Sequence, residues 1–255
     1  MDRNLETALA LAEKARDAGA DLIALPEAVN VMESDKARLL KKAHTQDEDP
    51  SLAAYGDFAR ASGVWVLVGS LVLRHDENKL VNRSFLIGAD GAIKAAYDKI
   101  HMFDVNLGGA ENHRESATYR AGSKAVLADT PWGRLGMTVC YDLRFPPLYR
   151  FLAKGGAEFI TVPAAFTRIT GRAHWHVLVR ARAIETGCYV FAPAQCGDHA
   201  GGRETFGHSL IVDPWGEVLA EGGEEPGFII ATVDPEKVSE TRRKIPSLEH
   251  DRDFD

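Results

Sequence analysis

Residues 64–73 read VWVLVGSLVL, an apolar run that contains no charged side chain. Such a run is typical of a strand in a sheet that is covered on both faces, so the fold needs packing layers above and below it. Further segments predict strands at residues 21–25, 134–139, 158–162 and 189–194, and helices at residues 4–19, 51–62, 147–154 and 172–186. Because these alternate and no linker divides them, we predict one α/β domain over residues 1–255.

Composition disfavours several classes of partner. The formal net charge of −7 and the lack of a basic run argue against nucleic acid and anionic membranes. No apolar stretch reaches the roughly 18 residues that a membrane-spanning helix needs, and residues 1–6 show no apolar signal segment. The three cysteines, Cys140, Cys188 and Cys196, are widely spaced, which fits a reduced compartment. We therefore expect a cytoplasmic protein.

Three ionisable residues lie where predicted strands end: Glu27, Lys99 and Cys140. In α/β proteins ligands gather at the C-terminal ends of strands, so these side chains can meet although they are distant in sequence. A thiol with a pKa of about 8.5 is mostly protonated at neutral pH and needs a base or a cation to become a nucleophile. Glu27 is the candidate base. Lys99 is the candidate cation, and it can also stabilise an oxyanion together with the backbone N–H of Tyr141.

Each of these residues has a structural explanation when it is taken alone. Glu27 can cap a turn, Lys99 can be a solvated strand end, and Cys140 can be core packing. A Cys–His pair is a further alternative, for which four histidines are available: His101, His174, His176 and His208. His174 and His176 are two positions apart and do not share a helix face, which disfavours a metal pair.

Several blocks of the sequence, in this order, resemble the nitrilase superfamily of carbon–nitrogen hydrolases. The blocks around the three candidate residues are ALPE, which ends at Glu27, YDKIHMFD around Lys99, and GMTVCYDLRF around Cys140. The segment RES at residues 114–116 resembles the block that carries a second active-site glutamate, here Glu115. The resemblance also includes residues 164–167, 171–175, 180–185 and 207–216.

The resemblance implies a four-layer α-β-β-α sandwich, and we expect it to lack the usual first strand here because the chain starts almost at its first helix. It also implies a homodimer that forms through the outer helices, with residues 172–186 and 245–254 as the expected contacts. Residues 106–113 depart from the family pattern, which has an acidic residue followed by Pro-Gly. We expect this segment to border the substrate pocket.

The implied enzyme is a hydrolase of the Glu-Lys-Cys type that needs neither a metal nor an organic cofactor. Cys140 attacks the amide carbon and forms a thioester, Glu27 moves the protons, and water then releases the acid. Lys99 and the Tyr141 N–H hold the oxyanion, and Glu115 orients Lys99 or the substrate amide.

Four residues are candidates for binding the substrate: Arg144, Phe166, Thr167 and Arg168. A forked guanidinium suits a carboxylate, which favours the two arginines. For Arg144, an ion pair with Asp142 or Glu27 is nevertheless the favoured explanation.

Residues 166–171, 183–186 and 194–197 most resemble the branch of deaminated glutathione amidases and omega-amidases. The implied reaction hydrolyses a terminal carboxamide of a small α-keto acid amide similar to deaminated glutathione and releases ammonia. α-Ketoglutaramate, nitriles and N-carbamoyl amino acids are alternative substrates. A thiol acyltransferase and a catalytically silent binding protein on the same fold are alternative functions.

Overall fold

The structure, a computed structural model, describes residues 2–108 and 112–253. The strands are β1 (Leu22–Ala24), β2 (Trp65–Arg74), β3 (Leu80–Ile87), β4 (Ile93–Asp98), β5 (Asp104–Asn106), β6 (Asn112–Arg114), β7 (Val126–Thr130), β8 (Gly133–Met137), β9 (Phe159–Thr161), β10 (Tyr189–Ala192), β11 (Cys196–Asp198), β12 (Glu204–Phe206), β13 (Leu210–Val212) and β14 (Val218–Glu221). The α-helices are α1 (Asp2–Asp17), α2 (Lys36–Lys42), α3 (Pro50–Ser62), α4 (Pro146–Lys154), α5 (Arg168–Thr186) and α6 (Glu236–Lys244). Short 3-10 helices span Gln46–Glu48, Glu115–Ala117 and Cys140–Arg144.

The strands form two main sheets and two short hairpins. The first sheet has the order β1-β2-β3-β4, and the second has the order β14-β13-β10-β9-β8-β7. Parallel pairs occur between β1 and β2 and among β8, β9 and β10, whereas the other neighbours are antiparallel. The hairpins are β5-β6 and β11-β12. Both main sheets therefore contain a parallel step, whose strand ends point to one edge of the sheet.

The side chains of β2 alternate between two cores. Val66 and Val68 pack with residues of α1 and α3, such as Ala12 and Tyr55. Leu67 points the other way, into a core that includes residues of the second sheet. This alternation is the period of two that a strand imposes, and it explains why the run is apolar at nearly every position.

The second sheet is covered on its outer face by α4 and α5. Leu152 of α4 and Trp175, Val179 and Ala183 of α5 belong to the same buried cluster as Ile160 of β9. The order of layers is thus α1 and α3, first sheet, second sheet, α4 and α5. The predicted four-layer α-β-β-α sandwich is confirmed.

Most predicted elements are present, with shifted ends. The helix predicted at residues 172–186 begins earlier, at Arg168, because the side chain of Thr167 accepts a hydrogen bond from the N–H of Thr170 and caps it. At the other end Gly187 adopts φ +58, the left-handed conformation that commonly ends helices. The sequence predicted neither α2 nor α6 nor the two short hairpins.

The remaining expectations concern the ends and one loop. In the described part of the chain α1 is the first element, and β1 lies at an edge of the first sheet. Within the unusual segment at residues 106–113, positions 109–111 lie outside the described residues, as does position 254 of the predicted contact segment. Among the described helices, none is both long and apolar enough to cross a membrane.

Candidate active site

The three candidate residues from the sequence converge between the two sheets. Glu27 follows β1 and Lys99 follows β4, so both come from the first sheet. Cys140 follows β8 of the second sheet and begins a 3-10 helix. All three side chains are almost completely buried. The sequence prediction that they meet is therefore matched by their placement.

Lys99 lies between two carboxylates. Its Nζ donates to Oε1 of Glu27 at 3.0 Å and to both carboxylate oxygens of Glu115 at 2.9 Å. Burial lowers the pKa of Lys99, but the charges of Glu115 and Glu27 outweigh it and hold the pKa well above its usual value. Lys99 is therefore a permanent cation here.

Glu27 accepts hydrogen bonds from β3 of the first sheet and from the segment that follows β9 of the second sheet. Oε1 also accepts from Nδ2 of Asn82 at 2.9 Å, and Oε2 accepts from the N–H of Ala165 at 2.9 Å. Burial raises the pKa of Glu27, but the charge of Lys99 and the hydrogen bond from Cys140 bring it below its usual value. Glu27 is therefore an ionised carboxylate next to a thiol, which is the state a general base needs.

Cys140 has an unusual backbone conformation. Its φ is +51, which L-residues with a side chain rarely adopt, and its N–H donates to the carbonyl of Pro163 at 2.9 Å. Burial and the charge of Glu27 raise the pKa of the thiol well above its usual value, and Lys99 opposes this only in part. At rest the proton therefore lies on sulfur, and Glu27 can remove it when the thiol attacks.

Asp142 fixes the turn that presents Cys140. Its fully buried carboxylate accepts from the N–H of Val139 at 2.8 Å and from the hydroxyl of Tyr97 at 2.7 Å. On the other oxygen it accepts from the N–H and Nδ1 of His101 at 3.0 and 2.7 Å. It thus ties the nucleophile turn to the end of the strand that supplies Lys99.

His101 has a structural environment. Its ring is bonded to Asp142 and stacks on Phe145, with 3.5 Å between ring centroids. A Cys–His pair was an alternative from the sequence, and the observed partner of the His101 ring is a carboxylate instead of the thiol. Glu27, not a histidine, contacts the thiol.

Two further groups belong to the predicted machinery. Tyr141 is the second residue of the 3-10 helix, whose first N–H groups have no acceptor within that helix. Its amide can therefore point at a developing oxyanion next to Cys140. Glu115 begins the 3-10 helix Glu115–Ala117, and it also accepts from the N–H of Phe103 at 2.6 Å.

The predicted substrate-binding residues divide into two groups: Arg144 and Phe166 lie beside each other, whereas Arg168 and Thr167 have structural partners. Arg144 does not pair with Asp142 or Glu27, because those carboxylates have other donors, so that favoured explanation is wrong. Its guanidinium lies over the rings of Tyr141 and Phe166, at 5.9 and 5.4 Å, and donates to His174.

Arg168 and Thr167 have structural partners. Arg168 is paired with Glu204 at 3.0 Å and with Asp198 at 3.5 Å, which argues against a role in binding a substrate carboxylate. Thr167 is buried and caps α5. The buried ring of Phe166 packs against Trp175 and lies beside Arg144.

Sequence reasoning missed Arg203 and Tyr119. Nη2 of Arg203 donates to the carbonyl of Ala165 at 2.8 Å, and its charge is close enough to lower the pKa of Glu27. Glu27, Lys99, Glu115 and Cys140 form what we call the catalytic cluster. Tyr119 lies near it, because burial and the charges of Glu115 and Glu27 all raise the pKa of Tyr119. No pattern around either residue signals this, because both reach the site from loops.

The family is identified by comparison with known proteins. The sequence model described as Carbon-nitrogen hydrolase matches residues 1–243. The chain belongs to this family. It is 40% identical over 254 residues to the deaminated glutathione amidase of Synechocystis, covering 98% of this chain and 93% of the relative. It is 41% identical over 255 residues to the human deaminated glutathione amidase, covering 98% of this chain and 78% of that protein.

A solved structure supports the same assignment. The crystal structure of the Caenorhabditis elegans NitFhit protein superimposes with a TM-score of 0.92 at 36% identity, covering 98% of this chain and 61% of that one. The carbon–nitrogen hydrolase described here is thus an enzyme of the nitrilase superfamily that acts on non-peptide carbon–nitrogen bonds.

A surface cavity of about 590 Å³ lies elsewhere, between α5, α6 and the residues that follow α6. Ile184, Trp215 and Ile245 line it, and no residue of the catalytic cluster does. We assign the active site to the buried cluster, because its nucleophile, base and cation are in contact, as catalysis requires. The size of a cavity alone does not indicate catalysis.

Proposed function

We propose that this carbon–nitrogen hydrolase is a thiol-dependent amidase of α-keto acid amides, with deaminated glutathione or a close analogue as its substrate. One observation carries the reaction type: an ionised Glu27 contacts both the Cys140 thiol and Lys99 in a buried site. The substrate class is supported by the identity of about 40% over nearly the whole chain to proteins named deaminated glutathione amidase.

Acylation begins with proton transfer. Glu27 takes the proton from the thiol as sulfur attacks the amide carbon, so no free thiolate accumulates next to two carboxylates. The oxygen of the tetrahedral intermediate is held by Lys99 and the N–H of Tyr141. Removing one donor of this kind typically costs about 10²–10³ in rate. Glu27 then gives the proton to the leaving nitrogen, and a thioester remains on Cys140.

Deacylation uses the same groups in reverse order. Glu27 takes a proton from a water molecule, which attacks the thioester, and the same two donors hold the second oxyanion. The bond between carbon and sulfur then breaks, Glu27 returns the proton to the sulfur of Cys140, and the acid is released. Glu115 has no proton to move in either step, because Lys99 is bonded to both of its oxygens. Its proposed role is to fix the ammonium group in position.

The leaving group distinguishes the candidate substrates. Deaminated glutathione is glutathione with an oxo group in place of its amino group, so each of its amide nitrogens carries the rest of a peptide. Its hydrolysis therefore releases an amine and not the ammonia expected from the sequence, and the cleaved bond is not a terminal carboxamide. A primary amide such as α-ketoglutaramate does release ammonia. Both substrates carry carboxylates, for which the guanidinium groups of Arg203 and Arg144 are the proposed partners.

The test measures three products for each substrate. Purified enzyme is incubated with deaminated glutathione, α-ketoglutaramate, a simple nitrile and an N-carbamoyl amino acid. The keto acid is followed by chromatography, primary amine by fluorescamine, and ammonia by a coupled assay. We expect deaminated glutathione to give amine and keto acid in equal amounts and to have the highest kcat/KM.

Two cysteine variants form the matched controls. Cys140→Ala should lose activity on every substrate, whereas Cys196→Ala, a half-buried cysteine outside the cluster, should keep it. Full activity of Cys140→Ala would show that the mechanism is wrong. A preference for α-ketoglutaramate with ammonia release would instead indicate an omega-amidase, and a correctly folded protein without activity would indicate a binding protein.

We also propose that the enzyme is a cytoplasmic homodimer of a single-domain chain. Four large apolar side chains are exposed on or beside the predicted contact surface: Val177, Ile184, Trp215 and Ile245. Such a cluster on one surface is typical of an interface. Light scattering should give about twice 27.8 kDa for the wild type. Val177→Asp should lower the measured mass, and Ile93→Asp, at an exposed apolar position on β4, should not.

A further inference from the structure

Three potential metal ligands converge outside the active site. His176 comes from α5, His208 from the loop between β12 and β13, and Glu221 from the end of β14. Nε2 of His176 lies 2.9 Å from Oε1 of Glu221, and Nδ1 of His208 lies 2.8 Å from the same oxygen. All three ligand atoms lie within 4.8 Å of one another. None of these residues belongs to the catalytic cluster.

The surrounding side chains hold both imidazole rings in place. Phe206 stacks on His208 with 4.3 Å between ring centroids, and it packs edge-on against His176 at 5.9 Å. Nε1 of the fully buried Trp175 donates to the carbonyl of His208 at 2.7 Å. Ligands whose rotamers are already fixed lose less conformational entropy when an ion binds.

The donor set selects the kind of ion. Two imidazole nitrogens and one carboxylate oxygen are a set that Zn²⁺ accepts, with water in the fourth position. Bonds of about 2.1 Å place tetrahedral ligands about 3.4 Å apart, which side-chain shifts of about 1 Å can reach from the observed distances. Imidazole suits Zn²⁺, Cu²⁺ and Ni²⁺, whereas Mg²⁺ and Ca²⁺ prefer oxygen ligands.

A second carboxylate completes the environment. Oε1 of Glu224 lies 3.9 Å from Nε2 of His208, the nitrogen that does not face Glu221. A metal-bound histidine usually donates its other N–H to such a group, and an approach of about 1 Å would bring Glu224 within hydrogen-bond distance.

We propose that His176, His208 and Glu221 form a site for a transition-metal ion, with Zn²⁺ favoured over Mg²⁺ and Ca²⁺. The ion replaces the hydrogen bonds within the cluster and connects α5 to the β13-β14 hairpin on the outer part of the second sheet. Its consequence is an increase in stability when the metal binds, because metal that binds only the folded chain shifts the unfolding equilibrium.

The experiment uses the full chain without a polyhistidine tag, after treatment with a chelator, in a Cys140→Ala background that removes the active-site thiol as a ligand. Calorimetric titration with ZnCl₂ should show one ion per chain with a dissociation constant in the micromolar range or below, and MgCl₂ should give no binding. The melting temperature should rise with the zinc concentration.

Variants of the ligands decide where the ion binds. Glu221→Gln and His176→Gln should each weaken zinc binding at least tenfold, and His208→Asn should do the same, since Asn tolerates the φ of +56 at this position. His174→Gln, an exposed histidine on the same helix, is the matched control and should bind zinc as the parent does. Absence of zinc binding, or an affinity unchanged in both Glu221→Gln and His176→Gln, would overturn the proposal.

Discussion

Replacement of Asp142 by Asn tests how the nucleophile turn is held. The buried carboxylate accepts from two backbone N–H groups, a tyrosine hydroxyl and a histidine ring. An Asn side chain of the same size can keep one oxygen towards His101, but it turns an NH₂ group towards Val139 and Tyr97. The tyrosine hydroxyl can rotate and accept from this NH₂ group, whereas the N–H of Val139 loses its partner.

The expected loss of stability follows from these bonds. A buried donor left without an acceptor costs about 1–3 kcal/mol, and weakening the charge-assisted bonds that remain adds to this cost. We take about 3 kcal/mol in total, and at 2–4 °C per kcal/mol for a chain of this size the melting temperature should fall by about 6–12 °C. Because the turn carries Cys140, kcat should fall by about 10²-fold, the effect of a displacement of about 1 Å.

The assay is thermal unfolding followed by circular dichroism, together with the amidase assay below the transition. The control is Asp129→Asn, which makes the same substitution at an exposed carboxylate paired with Arg134 at 3.0 Å. This exposed pair should contribute at most about 1 kcal/mol. If Asp142→Asn and Asp129→Asn unfold at the same temperature and both keep wild-type kcat, the buried carboxylate does not hold the turn and the reasoning is refuted.

Three further predictions concern the catalytic cluster. The net effect of burial, Lys99 and Cys140 lowers the pKa of Glu27. The ionisation of Glu27 therefore stabilises the fold above about pH 4.3, the pKa of an unperturbed glutamate, and this contribution is lost as the pH falls through the lower pKa of the folded chain. Acid unfolding should therefore depend less steeply on pH in Glu27→Gln than in the wild type. Burial and Glu27 raise the thiol pKa of Cys140, so its alkylation by iodoacetamide without substrate should still accelerate above pH 9. A plateau by pH 8 would contradict this, and peptide mapping identifies the alkylated cysteine. Glu115→Gln weakens the hydrogen bonds that position the ammonium group of Lys99 and should lower kcat/KM by about 10²-fold. The control Glu48→Gln, at an exposed position, should leave kcat/KM unchanged.

The sequence predicted the centre of the site and not its surroundings. Glu27, Lys99 and Cys140 follow strands, and strand ends share an edge, so local patterns were enough to bring them together. Arg203 and Asp142 act through contacts with residues far away in the chain, which no local pattern encodes. The prediction of an ion pair for Arg144 was wrong for the same reason. Asp142 already accepts from four donors in distant or neighbouring segments.

The missed helices have a different cause. In α6 only Val238 and Thr241 are buried, and in α2 only Leu39 is. So few buried positions give no apolar stripe that could be recognised. The early start of α5 depended on the cap at Thr167, which precedes the apolar positions used for the prediction.

The division of the site between two sheets couples catalytic competence to folding. The base and the ammonium group belong to the first sheet and the thiol to the second, and the contacts from Ala165 to Glu27 and from Asp142 to Tyr97 cross between them. A chain that has formed only the second sheet holds the cysteine without its proton acceptor. The nucleophile is therefore activated only in the step that docks the two halves, and a newly made chain carries no assembled acyl-transfer site before that step.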